Sequence, residues 1–370
     1  MNDTIRVLVI DDTATYRAIL SGVITAIEGY KVVGIAANGK IGLDKVGLLK
    51  PDLVTLDMEM PVMGGLETLR NLSRDYPDIG VVMVSAADSH SADQTVEALS
   101  HGCLEFIVKP STSDFIKAKE NLARQFERLI TLYREKRMSK PQSENRKGGS
   151  AVSRQVVTPL QRGSISLPQI VDLVAIGSST GGPRALEEVI PKLPPTISVP
   201  VVIVQHMPPL FTRSLAKNLD AKSELTVLEG CDGDKLVAGS VYIAPGGRHM
   251  VVEKGGDGEP ILRLNDDPPE NSCRPAVDTL FTSIHKAYLP QKTLCVILTG
   301  MGADGVNGVR ALQEKQGGYC ITQSEKSCVV YGMPRSVAEA GLVHEPLDLK
   351  DIPGRITEIC TFGKRRQSCG

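Results

Sequence analysis

A stretch near the middle of the chain cannot contribute to a hydrophobic core and therefore divides the molecule. Residues 134–154 contain seven basic and two acidic side chains but only three residues of hydrophobic class. Such a segment cannot bury enough apolar surface to fold by itself. The whole chain, at 370 residues, is also longer than one ordinary core. The sequence therefore predicts domains at residues 1–133 and 169–370, joined by a flexible basic linker at residues 134–168.

Short apolar runs alternate with helix-like stretches in the first predicted domain. Each run is rich in β-branched side chains and is bounded by Asp, Gly, Pro or Ser, as buried parallel strands are. This alternation predicts an α/β fold with a five-stranded, doubly wound parallel sheet. A last helix is predicted from a cap at Ser113 to Tyr133. The predicted strands are Ile5–Ile10, Lys31–Ile35, Leu53–Leu56, Val81–Val84 and Glu105–Val108.

The second predicted domain repeats this alternation over about 200 residues, enough for a core of its own. Helical patterns such as Pro183–Ile190 and Ala276–Ala287 separate its apolar runs. We therefore expect a second, larger doubly wound parallel-sheet domain. Its predicted strands are Val171–Ile176, Val199–Val204, Val241–Ala244, Thr293–Leu298 and Tyr319–Thr322.

Polar side chains follow four of the five strands in the first domain. Asp11 and Asp12 follow the first strand, Asp57 the third, Ser85 the fourth and Lys109 the fifth. The carboxyl ends of parallel strands meet in one crevice, so these groups should converge. Three carboxylates together favour a cation, and hard oxygen ligands suit Mg²⁺, which also binds phosphate oxygens. The pattern predicts phosphoryl transfer to a carboxylate, with Mg²⁺ and Lys109 neutralising the charge.

At these residues the first domain resembles a response-regulator receiver domain. The resemblance covers roughly residues 5–130 and includes Val9–Asp12, Leu56–Pro61, Val84–Ala86 and Val108–Pro110. It implies that Asp57 is the phosphoacceptor and that a histidine kinase is the phosphodonor. It also implies a Mg²⁺ site and a sensing mechanism. The metal would be held by Asp11, Asp12, Asp57 and the backbone carbonyl of Glu59, and the phosphate would be sensed by Ser85, Lys109 and the switching aromatic Phe106.

Three strands of the second domain are followed by residues of nucleophilic chemistry. The sequence G-x-S-x-G at residues 177–181 centres on Ser179, which would lie exposed in a tight strand-to-helix turn. His206 and Asp304 follow two other strands. A serine hydroxyl needs a base to take its proton, and the base needs an orienting carboxylate. Ser178 is a rival nucleophile and His249 a rival base.

Here the second domain resembles the catalytic domain of the chemotaxis protein-glutamate methylesterase/protein-glutamine glutaminase family. The motifs are Ile176–Gly182, Gln205–Pro208, Tyr242–Met250, Arg274–Asp278, Leu298–Gly305 and Val330–Pro334. The resemblance implies Ser179 as nucleophile, His206 as base and Asp304 as orienting acid. Thr180 would position the histidine, and the Met301 backbone N–H would contribute to the oxyanion hole. Cys273 departs from the pattern, which has His before Arg-Pro.

Receiver, linker and hydrolase domain in this order imply a hydrolase activated by phosphorylation. Its substrates would be methylated glutamates, and glutamines, on the cytoplasmic helices of chemoreceptors. The hydrolase domain is expected to need no cofactor. A phosphorylation-dependent adaptor without turnover, and a DNA-binding response regulator, are the alternative hypotheses.

Composition excludes several other classes of protein. The formal net charge is −1 and aromatic residues make up 4%, which argues against nucleic-acid binding. No run approaches 18 apolar residues, so no membrane insertion is expected. The eight cysteines include no CxxC pair, which is unlike a zinc site or a disulfide framework. Residues Met1 to Asp12 lack the basic start and cleavage site of a signal peptide, so a cytoplasmic location is expected. A monomer is also expected.

Overall fold

The structure is a computed structural model that describes residues 4–110, 114–139, 171–287 and 292–365. The Ser113 cap and most of the predicted linker lie outside these residues. Two α/β units are seen, and we call them the N-terminal unit (residues 5–139) and the C-terminal unit (residues 171–365).

The N-terminal unit is a five-stranded parallel sheet with helices between successive strands, as predicted. The strand order is β2-β1-β3-β4-β5, and every pairing is parallel. Strands β3 and β4 are buried along their whole length, which accounts for their continuous apolar sequence. The elements are β1 Ile5–Ile10, α1 Ala14–Thr25, β2 Tyr30–Ala36, α2 Gly39–Leu49, β3 Leu53–Asp57, α3 Gly65–Asp75, β4 Gly80–Ser85, α4 Ser89–Ser100, β5 Glu105–Val108 and α5 Phe115–Ser139.

The last helix of this unit begins and ends differently from the sequence prediction. The Asp114 carboxylate accepts hydrogen bonds from the backbone N–H groups of Ile116 and Lys117, so Asp114 caps the helix. Helix α5 then continues to Ser139 and so includes the first six residues of the predicted linker. The charged residues there have good helix propensity, so helical structure continues where the hydrophobic pattern stops.

The C-terminal unit has a seven-stranded parallel sheet in the order β14-β13-β12-β6-β7-β9-β8. Strands β12, β6 and β7 are therefore adjacent, and the loops after them meet at one edge. The elements are β6 Leu173–Ser178, α6 Gly182–Val189, β7 Val201–Gln205, α7 Phe211–Asp220, β8 Thr226–Glu229, β9 Ser240–Ile243, β10 His249–Lys254, β11 Pro260–Asn265, α8 Val277–Ala287, β12 Thr293–Ile297, α9 Val306–Gln316, β13 Tyr319–Gln323, α10 Met333–Glu339, β14 Glu345–Leu347 and α11 Ile352–Arg365.

Four strands of this unit are additional to those predicted from the sequence. Strands β10 and β11 form an antiparallel hairpin, and β8 and β14 are the short edge strands of the large sheet. The hairpin carries charged, exposed residues such as Glu253 and Lys254, and β14 is three residues long with Pro346 at its centre. Edge strands of this kind lack the buried apolar run on which the prediction relied.

The two units pack directly against each other. Helix α4 of the N-terminal unit lies against α6 and α7 of the C-terminal unit, and buried residues from both belong to one apolar cluster. Polar contacts border this interface. Lys217 Nζ lies 3.0 Å from Asp93 Oδ2, and the Ser100 hydroxyl donates to Glu187. Within the part of the chain that is described, no helix is both long and apolar enough to cross a membrane.

Candidate active site and phosphorylation site

Three carboxylates converge at the carboxyl edge of the N-terminal sheet, as the strand ends predict. Asp11 and Asp12 follow β1 and Asp57 ends β3, and one carboxylate oxygen from each lies within 4.8 Å of the others. Asp11 and Asp57 are buried and Asp12 is exposed. A set of hard oxygen ligands open to solvent on one side fits Mg²⁺, which keeps several of its waters. The residues present therefore fit the predicted cation.

Lys109 supplies the positive charge of this site. Its Nζ lies 3.0 Å from Asp11 Oδ2 and 2.8 Å from Asp57 Oδ1. It also lies 4.7 Å from the centre of the Tyr16 ring. Burial raises the pKa of Asp57 to about 6, against the lowering effect of Lys109. The lysine thus holds the buried Asp57 carboxylate through an ion pair.

The Ser85 hydroxyl is held by helix α4. Ser85 is fully buried, and its Oγ accepts a hydrogen bond of 2.7 Å from Thr95 Oγ1. It also lies 3.4 Å from the Ser91 carbonyl oxygen. Thr95 and Ser91 both belong to α4, the helix that packs against the C-terminal unit. Any movement of Ser85 toward a phosphate would therefore break contacts with the interface helix.

Phe106 lies in the interface between the two units. Its ring stacks on the ring of Phe211, with centroids 4.6 Å apart and planes inclined by 24°. Phe211 is fully buried and begins α7, which follows the loop that carries His206. The predicted switching aromatic is thus in contact with the unit that carries the predicted catalytic residues.

Glu59, predicted as a metal ligand through its backbone carbonyl, follows β3 near the carboxylates. Its side chain accepts a hydrogen bond of 3.0 Å from Ser91 Oγ. The side chain is therefore turned toward the start of α4. The carbonyl's role as a ligand stays a prediction.

Ser179 lies in a sharp turn between β6 and α6. Gly181 has φ 75°, a left-handed conformation that glycine adopts without strain. A Cβ on Gly182 would lie 1.9 Å from Gln205 Oε1, so a larger residue there would displace the Gln205 side chain. Gln205 Nε2 donates to the Ser179 carbonyl oxygen at 2.9 Å, so the end of β7 fixes the turn. The sequence around Gln205 does not predict that its side chain fixes the Ser179 turn. The only signal is its place beside His206.

The structure separates the two candidate serines. Ser178 is fully buried and its hydroxyl donates to Gln205 Oε1 at 2.6 Å. Ser179 is half-buried and lies at the surface of the crevice. Because a nucleophile must reach its substrate, this difference favours Ser179.

His206 and Asp304 form a hydrogen-bonded pair between the loops after β7 and β12. His206 Nε2 lies 2.8 Å from Asp304 Oδ2, and both side chains are largely buried. Burial alone would lower the pKa of His206. The hydrogen bond to Asp304, followed by contact with Cys273, more than reverses this effect and raises the pKa to about 9.

Asp304 is held by the start of helix α8. Its Oδ2 accepts from the Val277 backbone N–H at 2.7 Å, and its Oδ1 from the Asp278 N–H at 3.0 Å. Burial opposes ionisation, but His206 and these N–H donors hold the pKa of Asp304 below its usual value. Donors at the N-terminus of a helix favour a carboxylate. Asp304 is thus ionised and fixed in orientation.

Two further residues complete this network and were missed by the sequence reasoning. Asn271 Nδ2 donates to Asp304 Oδ1 at 3.0 Å and to Asp278 Oδ2 at 3.1 Å. Asp278, which is fully buried, also accepts from the Gly308 backbone N–H at 2.7 Å. Asn271 reaches the two carboxylates because of the turn at residues 270–273, and the pattern of apolar residues does not predict the path of that turn.

His206 Nδ1, the other imidazole nitrogen, faces Cys273. The Cys273 Sγ lies 3.6 Å from Nδ1. Among the hydrogen bonds of the described residues, none joins Ser179 Oγ to His206. Catalytic hydrogen bonds are often formed only when substrate is bound. The structure therefore brings together the three predicted residues with His206 turned to a thiol.

Thr180 and Met301 flank the nucleophile. Thr180 and Glu105 of the N-terminal unit line the same small cavity, and burial raises the pKa of Glu105 to about 7 against a lowering effect of Thr180. Gly300 lies against Ser179, because a Cβ on Gly300 would lie 3.0 Å from the Ser179 backbone nitrogen. This places the chain at Met301 beside the nucleophile. The oxyanion role of its N–H stays a prediction.

The rival base His249 has a different environment. It is almost fully buried, and its Nε2 lies 3.1 Å from the Pro268 carbonyl oxygen. It begins β10 of the hairpin, and no carboxylate bond to it is found in the described chain. These contacts are those of a packed structural histidine, which leaves His206 as the better candidate.

Comparisons with known proteins agree with this arrangement. A family model described as CheB methylesterase matches residues 174–356, and one described as response regulator receiver domain matches residues 7–120. A protein-glutamate methylesterase/protein-glutamine glutaminase of Desulfotalea psychrophila is 44% identical over 95% of this chain and 97% of its own length. A Bacillus subtilis protein of the same name is 42% identical over 95% of this chain and 98% of its own length.

A solved structure covers half of the chain. The crystal structure of the Thermotoga maritima CheB methylesterase catalytic domain is 44% identical in sequence, with a TM-score of 0.49, over 51% of this chain and 98% of that chain. The chain is more than 40% identical to the two curated relatives over nearly its full length, and this shows the family to which it belongs. The chain therefore belongs to the protein-glutamate methylesterase/protein-glutamine glutaminase family, with a receiver domain before its methylesterase domain.

Proposed function

We propose that this chain is a phosphorylation-activated serine hydrolase that removes methyl esters from chemoreceptor glutamates and deamidates chemoreceptor glutamines. One observation carries the proposal above all. The His206–Asp304 pair, bonded at 2.8 Å, and the half-buried Ser179 lie at the ends of three adjacent strands. This is the combination that acyl transfer through serine requires. The names of the relatives supply the substrate class.

The reaction would proceed in two acyl-transfer steps. Ser179 Oγ attacks the ester carbonyl while His206 Nδ1 takes its proton, and the C–O bond to methanol breaks as His206 returns the proton. Water then attacks the acyl-enzyme by the same route and releases glutamate. With a glutamine substrate the leaving group is ammonia. The Met301 N–H would bind the oxyanion, and Thr180 would position His206.

Phosphorylation would act through the contacts between the two units. Asp57 would accept phosphate from a histidine kinase, and Mg²⁺ held by Asp11, Asp12, Asp57 and the Glu59 carbonyl would neutralise phosphate charge. Lys109 and Ser85 would then bind the phosphate. Ser85 would leave its α4 partners, since Thr95 now holds it, and Phe106 would leave Phe211.

The docked N-terminal unit would restrain the enzyme. Glu105 of the N-terminal unit lines one cavity with Thr180, the residue after the nucleophile. Val330 of the C-terminal unit packs in the core cluster of the N-terminal unit. Release of these contacts would open the crevice, and phosphorylation would shift the docking equilibrium toward the open state.

Partners and location follow from this activity. We propose the cytoplasmic helices of methylated chemoreceptors as substrate and a histidine kinase as phosphodonor, which requires a cytoplasmic location. We further propose that the enzyme acts as a monomer, without nucleic acid, and that the hydrolase domain needs no cofactor.

The nucleophile can be tested against its neighbour. Membranes carrying radiolabelled, methylated receptors are incubated with the wild-type chain, Ser179→Ala or Ser178→Ala, and released methanol is measured. We expect Ser179→Ala to lose turnover. Ser178→Ala should keep turnover but unfold at lower temperature, because it loses a buried hydrogen bond. Wild-type rates from Ser179→Ala would refute the proposal, and receptor binding without turnover in the wild type would favour an adaptor.

A further inference from the structure

A thiol lies against the one nitrogen of His206 that is free to act as a base. Asp304 is ionised and can only accept, as it does from its three other partners, which are N–H groups, so His206 Nε2 carries a hydrogen and donates it in a hydrogen bond to Asp304. A neutral imidazole then has its lone pair on Nδ1. The Cys273 Sγ lies 3.6 Å from this atom, at the distance of a thiol hydrogen bond. Ser179 would have to occupy the same position to be activated.

The thiol is carried by a tight turn with an unusual backbone conformation. Residues 270–273 form a tight turn in which the Cys273 N–H donates to the Glu270 carbonyl oxygen at 2.8 Å. Its two central residues, Asn271 and Ser272, have φ 52° and 62°. A turn with positive φ at both central positions is of type I′ and normally requires glycine at the second. Here a serine is held in the left-handed region, which is sparsely populated for residues with a side chain.

The same turn is anchored to the orienting carboxylate. Asn271 Nδ2 donates to Asp304 Oδ1 at 3.0 Å, so one end of the turn follows Asp304 and the other end reaches His206. The imidazole is thereby held from both sides, by Asp304 at Nε2 and by Cys273 at Nδ1. Cys273 is half-buried, unlike the fully buried Cys295 and Cys320.

We propose that Cys273 is a positioning residue whose thiol occupies His206 Nδ1 in the resting enzyme and keeps the base from Ser179 until substrate displaces it. The inference rests on the proposed role of His206 as base. It explains why the structure brings Ser179 and His206 to one crevice without a hydrogen bond between them. Burial lowers the pKa of His206, and the bond to Asp304, followed by the contact with Cys273, raises it, because the sulfur can also accept from Nδ1–H of the imidazolium.

The groups that face the His206 imidazole determine the pKa that a pH profile of activity would measure. Asp304 and Cys273 are in contact with it, from the loop after β12 and from the 270–273 turn. Asp278 of α8 lies behind Asp304 and shares Asn271 with it. Loss of the thiol therefore removes one of the two direct contacts that stabilise the imidazolium of His206. The hydrogen bonds of Asp304 and Asp278 stay in place.

The first test compares pH profiles. Cys273→Ala removes the group on Nδ1, which stabilises the imidazolium by accepting from Nδ1–H, and Cys273→Ser replaces it with a hydroxyl that also accepts. We expect the acidic limb of kcat/KM for the unphosphorylated enzyme to move to lower pH in Cys273→Ala by about half a unit. That shift would raise the rate at pH 7 about threefold, since one unit is a factor of ten. Cys273→Ser should restore the wild-type limb. An unchanged limb in Cys273→Ala would overturn the proposal.

The second test uses the unsubstituted thiol and does not depend on a variant at Cys273. Iodoacetamide forms an S–C bond to Cys273 as the C–I bond breaks, with iodide leaving and the thiol proton passing to His206 Nδ1 or water. A Cys231→Ser, Cys369→Ser background removes the exposed Cys231 and the near-terminal Cys369. Label at Cys273 is measured by peptide mass spectrometry alongside methanol release.

We expect loss of turnover to follow labelling at Cys273 one for one, because the added amide fills the position that Ser179 needs. We also expect slower labelling in a His206→Ala variant, in which no imidazole takes the thiol proton. Labelled enzyme with full turnover, or equal labelling rates with and without His206, would contradict the proposal. Wild-type turnover in His206→Ala would instead show that the proposed base is wrong, so the two failures are distinguishable.

Discussion

Substitution of Asp304 by Asn tests the role of the carboxylate with almost no change of shape. Asp304 accepts four hydrogen bonds, from His206 and Val277 at Oδ2 and from Asn271 and Asp278 at Oδ1. An amide has one accepting oxygen and one NH₂ group that only donates. Whichever way the amide is turned, two of the four donors meet an NH₂ group.

Each orientation damages the base in a different way. With NH₂ toward His206, the imidazole must accept at Nε2 and carry its proton on Nδ1, where it cannot take one from Ser179. With NH₂ toward Asp278, the tautomer is kept, but the negative charge that stabilises the imidazolium is lost. A buried N–H is unpaired in both cases, which costs about 1–3 kcal/mol of stability.

We therefore expect Asp304→Asn to lower kcat by about 10³ to 10⁴, the size of effect seen when a triad histidine is held in the wrong tautomer. Asp278→Asn is the matched control. Asp278 is a buried carboxylate of the same network that accepts from Asn271 and Gly308, but it does not contact His206.

Methanol release and thermal unfolding are measured for both variants. The control should lose similar stability while keeping kcat within about tenfold of the wild type. If Asp304→Asn also stays within tenfold, or if both variants lose activity equally, Asp304 acts only through the fold and the assignment of the orienting acid is wrong.

Three further predictions concern the interface, the base and the phosphorylation site. Phe106→Ala removes a stacked pair worth about 1 kcal/mol, so the unphosphorylated demethylation rate should rise about fivefold; an unchanged rate would show that the stack does not restrain the enzyme. The base must be neutral, and the pKa of His206 is raised to about 9, so kcat/KM of the unphosphorylated enzyme should rise with pH until about pH 9. A profile that levels at pH 7 would contradict this prediction. Because that pKa lies above the ordinary value, the stability contributed by His206 is complete below about pH 6.5 and is lost as pH rises through 9. Chelation of Mg²⁺ should abolish incorporation of phosphate into Asp57 while leaving unphosphorylated turnover intact, as measured with a labelled phosphodonor; phosphorylation that persists in excess EDTA would refute the metal assignment.

The parallel sheets and the positions of the functional residues were predictable because they depend on local sequence. A buried strand must be apolar, and the residue after its carboxyl end faces the crevice. Asp57, Ser179 and His206 could therefore be placed from the chain alone. The short hairpin β10–β11 could not, since its exposed face carries charges and its stability comes from packing against α8.

The contacts that tune the site were not predictable for a different reason. Thr95 holds Ser85, Phe211 stacks on Phe106, and Asn271 bridges two carboxylates. Each of these contacts joins different elements of the fold or depends on an unusual turn, so the apolar pattern along the chain does not reveal it. Cys273 was visible as a departure from the family's motif, but its contact with His206 required the turn at residues 270–273.

The central claim is that phosphorylation of Asp57 controls hydrolysis at Ser179. The most direct test measures methanol release from methylated receptor membranes with and without a small-molecule phosphodonor, for the wild type, Asp57→Asn and Ser179→Ala. We expect the donor to accelerate the wild type, to have no effect on the basal rate of Asp57→Asn, and to produce no methanol with Ser179→Ala. Equal acceleration of the wild type and Asp57→Asn would contradict the account.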